Sequence, residues 1–166
     1  NNAVADQAII KTLYRASQAG VQIDMIVRGL CCLRPGVPGI SDRIRVRSII
    51  GRFLEHSRVF YFSNDGAEDV YLASADWMDR NFFRRVELCF PVLDPALKKR
   101  VIREGLMPYL EDNSQAWVMG PDGNYERLRP RRGAKGRSAQ DELLNTLAAA
   151  SGEPRQSVPA VALKPA

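Results

Sequence analysis

A change of period across one glycine constrains the fold more than any other feature of this sequence. Asp6 can accept from the first turn of a helix whose apolar residues Ile9, Ile10, Leu13 and Ala16 recur at helical spacing, and Gly20 is placed to end it. The run that follows, 21–27, is mostly apolar and reads as a buried strand ending at Arg28-Gly29. A helix feeding a strand through a tight glycine turn predicts an α/β layer. Ligands in such layers gather at the carboxyl ends of strands, where Arg28 sits.

Two prolines and two glycines make 30–40 a loop. Ser41 is placed to cap a segment in which Ile44, Val46, Ile49, Ile50, Phe53 and Leu54 read as the apolar face of a helix, with Arg43, Arg47 and Arg52 outside. That helix would deliver Glu55-His56-Ser57-Arg58 to the next strand. Residues 59–62 and 70–73 read as paired strands joined by an Asp65-Gly66 turn, and 74–81 as a polar loop with one large aromatic. A strand is expected over 84–92, halted by Pro91, and Asp94-Pro95 opens a helix over 96–110. Residues 116–119 and 125–128 flank a second hairpin turn, 121–124. The 129–137 run, rich in arginine and glycine, reads as a solvated connector. Ser138 caps a helix through Leu143, Leu144 and Leu147. One domain over 1–150 and a disordered tail over 151–166 are expected, with Trp77, Phe82 and Phe83 in the core.

With 45% hydrophobic residues among 166, the chain can form one core. No apolar stretch approaches the ~20 residues of a membrane helix, and the first residues lack a secretion signal, so a cytoplasmic location is expected. Cys31, Cys32 and Cys89 lack zinc-site spacing beside a single histidine, so no metal ligands are expected and the thiols read as reduced and partly buried. A start without Met that enters a helix almost at once suggests a piece of a longer protein. Lys plus Arg number 24 against 19 Asp plus Glu, for a net charge of +5, and arginine predominates. Its planar fork pairs bidentately with phosphate oxygens, which points to a polyanion: nucleic acid, nucleotide or inorganic polyphosphate.

His56, the one histidine, stands two residues from Arg58 at the mouth of a predicted strand. An imidazole there can pass a proton while the guanidinium holds a phosphate. Arg28-Gly29, the 55–58 segment and the 74–81 segment all fall at strand edges. If the sheet brings those edges together, they line one phosphate-sized cleft.

Segments 26–36, 44–58 and 74–81 closely resemble the final domain of bacterial polyphosphate kinase, the type-one family, and the likeness runs from about Asp6 to Leu147. The resemblance implies an α/β, phospholipase D-like domain with a mixed central sheet flanked by helices. It also implies an ATP:polyphosphate phosphotransferase, moving the terminal phosphate of ATP reversibly onto polyphosphate through a phosphohistidine. In the family that histidine and the Mg2+ ligands belong to a preceding domain, which nothing here matches. The chain alone is therefore expected to be inactive or nearly so. Its expected partners are ATP or ADP, inorganic polyphosphate and the preceding domains of the same polypeptide. The full enzyme is expected to be a homo-oligomer, cytoplasmic, with membrane association admitted.

By the same resemblance Arg28 and His56 contact ATP phosphates, with Arg58 beside them, and His56 serves the leaving oxygen as the catalytic group. Arg45, Arg47, Arg52, Arg80, Arg84 and Arg85 are candidates for a polyphosphate channel, and Ser74 and Asp76 for orienting the site. The phospholipase D superfamily carries His-x-Lys, a downstream Asp and Gly-Ser-x-Asn. Here Arg58 replaces the lysine and 73–76 only echoes the serine segment. Two alternatives stand beside the kinase reading: a phosphodiesterase of that superfamily, and a basic nucleic-acid-binding module, which lacks stacking aromatics and a docking motif.

Overall fold

The Asp6 carboxylate accepts from Ile9 N at 2.8 Å and starts α1 (Gln7–Gln18), which Gly20, at φ +97°, turns back toward β1 (Ile23–Ile26). The computed structural model describes residues 1–151. β1 runs parallel to β2 (Ile44–Ile49), with Ile23 opposite Ile44 and Ile26 opposite Arg47. β2 pairs antiparallel with β6 (Ala116–Met119), and β6 with β7 (Tyr125–Arg127), giving a mixed sheet in the order β1-β2-β6-β7. A second sheet, β3 (Val59–Phe62), β4 (Asp69–Ala73) and β5 (Cys89–Pro91), is antiparallel throughout. Helices α2 (Asp79–Phe83), α3 (Pro95–Gly105), α4 (Met107–Glu111) and α5 (Ala139–Ser151) complete the described chain.

Alternation places the core. Met25 and Val27, then Ile44 and Val46, turn the same sheet face toward Val4, Ile10, Leu33 and Met119, and each such side chain contributes about 1.5–3 kcal/mol by leaving water. Asp112, 1% exposed, ties distant elements together. Its Oδ1 accepts from Ser114, Gln115 and Ala116 N, and its Oδ2 from Ala139 N, so one carboxylate starts both β6 and α5.

Several expectations are corrected. The segment read as a helix from Ser41 is strand β2, because Ile44, Val46 and Ser48 are buried while Arg45 and Arg47 lie on the other face, a period of two. The strand expected over 84–92 shrinks to β5, and the loop expected over 74–81 becomes helical from Asp79, where α2 begins. β5 ends at Pro91, as expected, and the proline is tolerated as its last residue because β5 is an edge and needs no outward donor. The helix over 96–110 breaks at Leu106 (φ −129°), just ahead of Pro108, into α3 and α4. Phe82 and Phe83 are exposed, as are Cys32 and Cys89, whereas Trp77 packs against the core and stacks on Phe60 at 5.2 Å between centroids. The hairpins at 59–73 and 116–128 form as expected. The tail expected over 151–166 lies outside the described residues except for Ser151, the last residue of α5.

Candidate anion site

Residues 1–5 run between the loop after β1 and the loop after β4. Arg28 N and Gly29 N donate to Asn1 O and Asn2 O on one side, while Trp77 N donates to Ala3 O and Ala5 N to Trp77 O on the other. The strand ends that carry Arg28 and Asp76 are thereby drawn together. β3 pairs with β4, which sets Arg58, just ahead of β3, beside the same loop: Ala73 N donates to Arg58 O at 3.1 Å.

Arg58 Nε donates to Asp76 Oδ1 at 3.0 Å, with the two side chains only 12% and 11% exposed. Its Nη1 reaches His56 Nδ1 at 3.1 Å and His56 O at 3.1 Å. A guanidinium has no acceptor, so Nδ1 accepts, which leaves the ring proton on Nε2, the nitrogen turned away from Arg58. Burial would raise the Asp76 carboxyl, but the Arg58 hydrogen bond and charge, with Asn2 and Arg80 adding to them, hold it below the ordinary aspartate range. Arg28 and the loop bearing Asp76 thus border the same amino-terminal segment, and Arg58 is tied to that loop through Asp76.

Arg28 Nη1 is buried and has no hydrogen-bond partner. Arg28 also lines a cavity of about 310 Å³ with Ile49, Gly51, Arg52, Phe53 and Glu55. A larger cavity of about 550 Å³ lies between α3 and the second sheet, lined by Val59, Leu72, Phe90, Leu97 and Val101, and its Arg100 is paired with Glu104 at 3.0 Å. Of these two cavities, the smaller is the one lined by a cation with an unpartnered donor, Arg28.

The remaining candidates divide. Ser74 Oγ donates to Glu87 Oε2 and accepts from Leu88 N at 2.9 Å, and Asn81 Nδ2 donates to Glu87 Oε1 at 2.6 Å. Ser74 therefore closes the loop after β4 onto Glu87, whose carboxyl these two partners hold low. Arg45 pairs with Asp24 at 2.8 Å across the strands. Arg47 donates to Leu110 O at 2.6 Å and Tyr109 O at 3.4 Å, capping the end of α4. Arg52 lies over the Phe53 ring at 5.3 Å, Arg84 is a loose partner of Asp79 at 3.7 Å, and Arg80 and Arg85 are exposed. Sequence reasoning included Asn81 in the 74–81 segment without a role of its own, and it missed Asn1, Asn2 and Glu87. Glu87 lay hidden in an expected strand, and the others gave no local pattern.

The two sheets and their helices make an α/β domain of the phospholipase D-like class, which the structural comparison below supports. Residues 1–140 match the family described as polyphosphate kinase C-terminal domain 2, and the chain belongs to that family. It is 58% identical to a polyphosphate kinase of Pseudomonas aeruginosa over 148 residues, 89% of this chain and 21% of that protein. Against a polyphosphate kinase of Neisseria meningitidis serogroup B the identity is 56% over 146 residues, 88% and 21% of the two chains. The crystal structure of polyphosphate kinase from Porphyromonas gingivalis superposes with a TM-score of 0.84 at 41% identity, over 91% of this chain and 23% of that one. The chain thus spans about a fifth of the length of the curated relatives it matches. Among the described residues, no helix is long and apolar enough to cross a membrane.

Proposed function

We propose that this chain supplies the ATP-phosphate and polyphosphate side of a polyphosphate kinase site, for reversible transfer of the ATP terminal phosphate onto polyphosphate. The phosphohistidine of that reaction comes from a preceding domain of the same polypeptide. The observation that carries this reading is the buried, unpartnered Nη1 of Arg28 in a cluster where Asp76 and His56 hold Arg58. An oxyanion offers that orphaned donor the acceptor it lacks, and a charge-assisted bond of this kind is strong in a shielded site.

The geometry supports the following roles. Arg28 neutralises non-bridging phosphate oxygens as charge builds during transfer, and it is already in place, so little reorganisation is needed. His56 presents its Nε2 proton to the leaving oxygen, because Arg58 occupies Nδ1. Arg58 is both the second cation of the site and, through Asp76, its anchor. Arg52, Arg80 and Arg85 remain open to a longer polyphosphate chain, whereas Arg45 and Arg47 already hold Asp24 and the end of α4. Magnesium is given no step here; by the family resemblance its ligands belong to the preceding domain.

Titration of the chain with tripolyphosphate, followed by calorimetry, tests the reading. Binding is expected, with Arg28→Ala weakening it by about tenfold or more. In the longer enzyme, Arg28→Ala and His56→Ala should each lower transfer by roughly 10² or more. A clear preference for duplex DNA over long polyphosphate would favour the nucleic-acid module instead. Stable label on His56 from γ-labelled ATP would overturn the roles assigned here.

A further inference from the structure

Gln140 stands on the first turn of α5, 84 positions after His56 in the sequence, yet its side chain grips the strip that leads into His56. Its Oε1 accepts from Phe53 N at 2.9 Å, while its Nε2 donates to Phe53 O at 2.8 Å and to Glu55 Oε1 at 2.7 Å. The residue is 5% exposed, so water does not replace these bonds when they break. From α4, Tyr109 lies near the same Glu55 carboxylate, and burial together with that negative charge pushes its phenol up. Further along the strip, Arg58 holds His56 itself through Nη1 to His56 O and Nδ1, so Gln140 secures the end that leads into the histidine. Residues 51–58 belong to no helix or strand, and Phe53 and Leu54 are 47% and 76% exposed, so packing does not fix them. Gly51 lies against the same carboxamide: a Cβ there would collide with Gln140 Oε1 and Gln115 Oε1. A primary carboxamide satisfies a peptide N–H, a peptide C=O and a carboxylate together, which neither a carboxylate nor a hydrocarbon in its place does.

We propose that Gln140 is a positioning residue for the anion site: it fixes the 53–55 strip so that the wall of the Arg28 cavity keeps its shape and His56 is presented to Arg58. The inference rests on the phosphate-binding reading and deepens it, by making the first turn of α5 the fixed base beneath the site. Gln140 touches no phosphate; it acts through Phe53 and Glu55.

Because His56 is the only histidine, its ring signals identify themselves in a proton spectrum of the whole chain. The experiment compares the wild-type chain with Gln140→Leu and Gln140→Glu, reading the core methyl signals, the His56 ring signals and the affinity for tripolyphosphate. The expected result is an unchanged core, His56 signals displaced toward those of a free imidazole, and affinity lower by about tenfold or more. Combining Gln140→Glu with Glu55→Gln re-forms the contact between the two side chains and should recover part of both effects. Unmoved ring signals with unchanged affinity, in either variant with an intact core, would overturn the proposal. Unfolding of both variants would also overturn it, by making Gln140 a residue of the fold rather than of the site. If the wild-type chain fails to bind tripolyphosphate while the ring signals still move in the variants, the phosphate reading falls and the positioning role stands.

Discussion

Arg58 joins the site to the fold, because the same guanidinium that fixes the His56 tautomer is held by Asp76 in a shielded pair. Removing one partner of such a pair strands the other, so Arg58→Ala should lower unfolding free energy by about 3–5 kcal/mol, read as a fall in the urea midpoint. Asp76 gives the matching pH prediction. Its folded carboxyl titrates below the ordinary value of 3.8, so its charge stabilises the fold above that value, and the contribution is lost as pH falls through the depressed one. Asp76→Asn should therefore be less stable than wild type at neutral pH and lose less on acidification below about pH 4, a comparison made by thermal melts across pH. At this scale the sequence made the right residues visible but not their pairings. Arg28, His56, Arg58 and Asp76 stood out as short polar segments beside strands, whereas the bond between Arg58 and Asp76 depends on β3 lying against β4.

Among the elements, β2 shows how two periodicities can be confused. Ile44, Ile49 and Phe53 fit a helical reading, but Val46 and Ser48 alternate with arginines, and pairing with β1 on one side and β6 on the other selects the strand. The hairpins and α1 were legible because their turns and caps are local: Asp6, Gly20 and the turn at 63–66 act within a few residues. Asp112 was not legible, since it reaches Ala139 across 27 positions. Asp112→Ala removes the shared acceptor of four backbone N–H groups, and a loss of about 3 kcal/mol or more is expected, with faster amide exchange at Ala139 and Gln140. Gly51→Ala should disturb the site more than the sheets. Its Cβ would displace the Gln140 carboxamide, so tripolyphosphate affinity should fall while the core methyl spectrum stays close to wild type.

Across the whole molecule, the net charge of +5 acts on polyanions beyond the direct contacts of Arg28. Affinity for long polyphosphate should therefore fall by about tenfold or more as salt rises from about 50 to about 200 mM, while the affinity for tripolyphosphate falls less. Equal slopes for the two would show that only the Arg28 cluster contributes. The two-sheet arrangement was beyond the reach of the sequence, because it depends on residues 1–5 bridging the loops after β1 and β4, and no run of letters announces such a bridge. The thiols differ with their placement in that arrangement. Burial raises the Cys31 thiol and makes it a slow nucleophile, whereas Cys32, beside the first sheet, and Cys89, on β5 of the second, face solvent. A maleimide dye pair would thus attach selectively to one native thiol in each half, and energy transfer between the dyes would report whether the halves shift when an anion enters, with no engineered cysteine required.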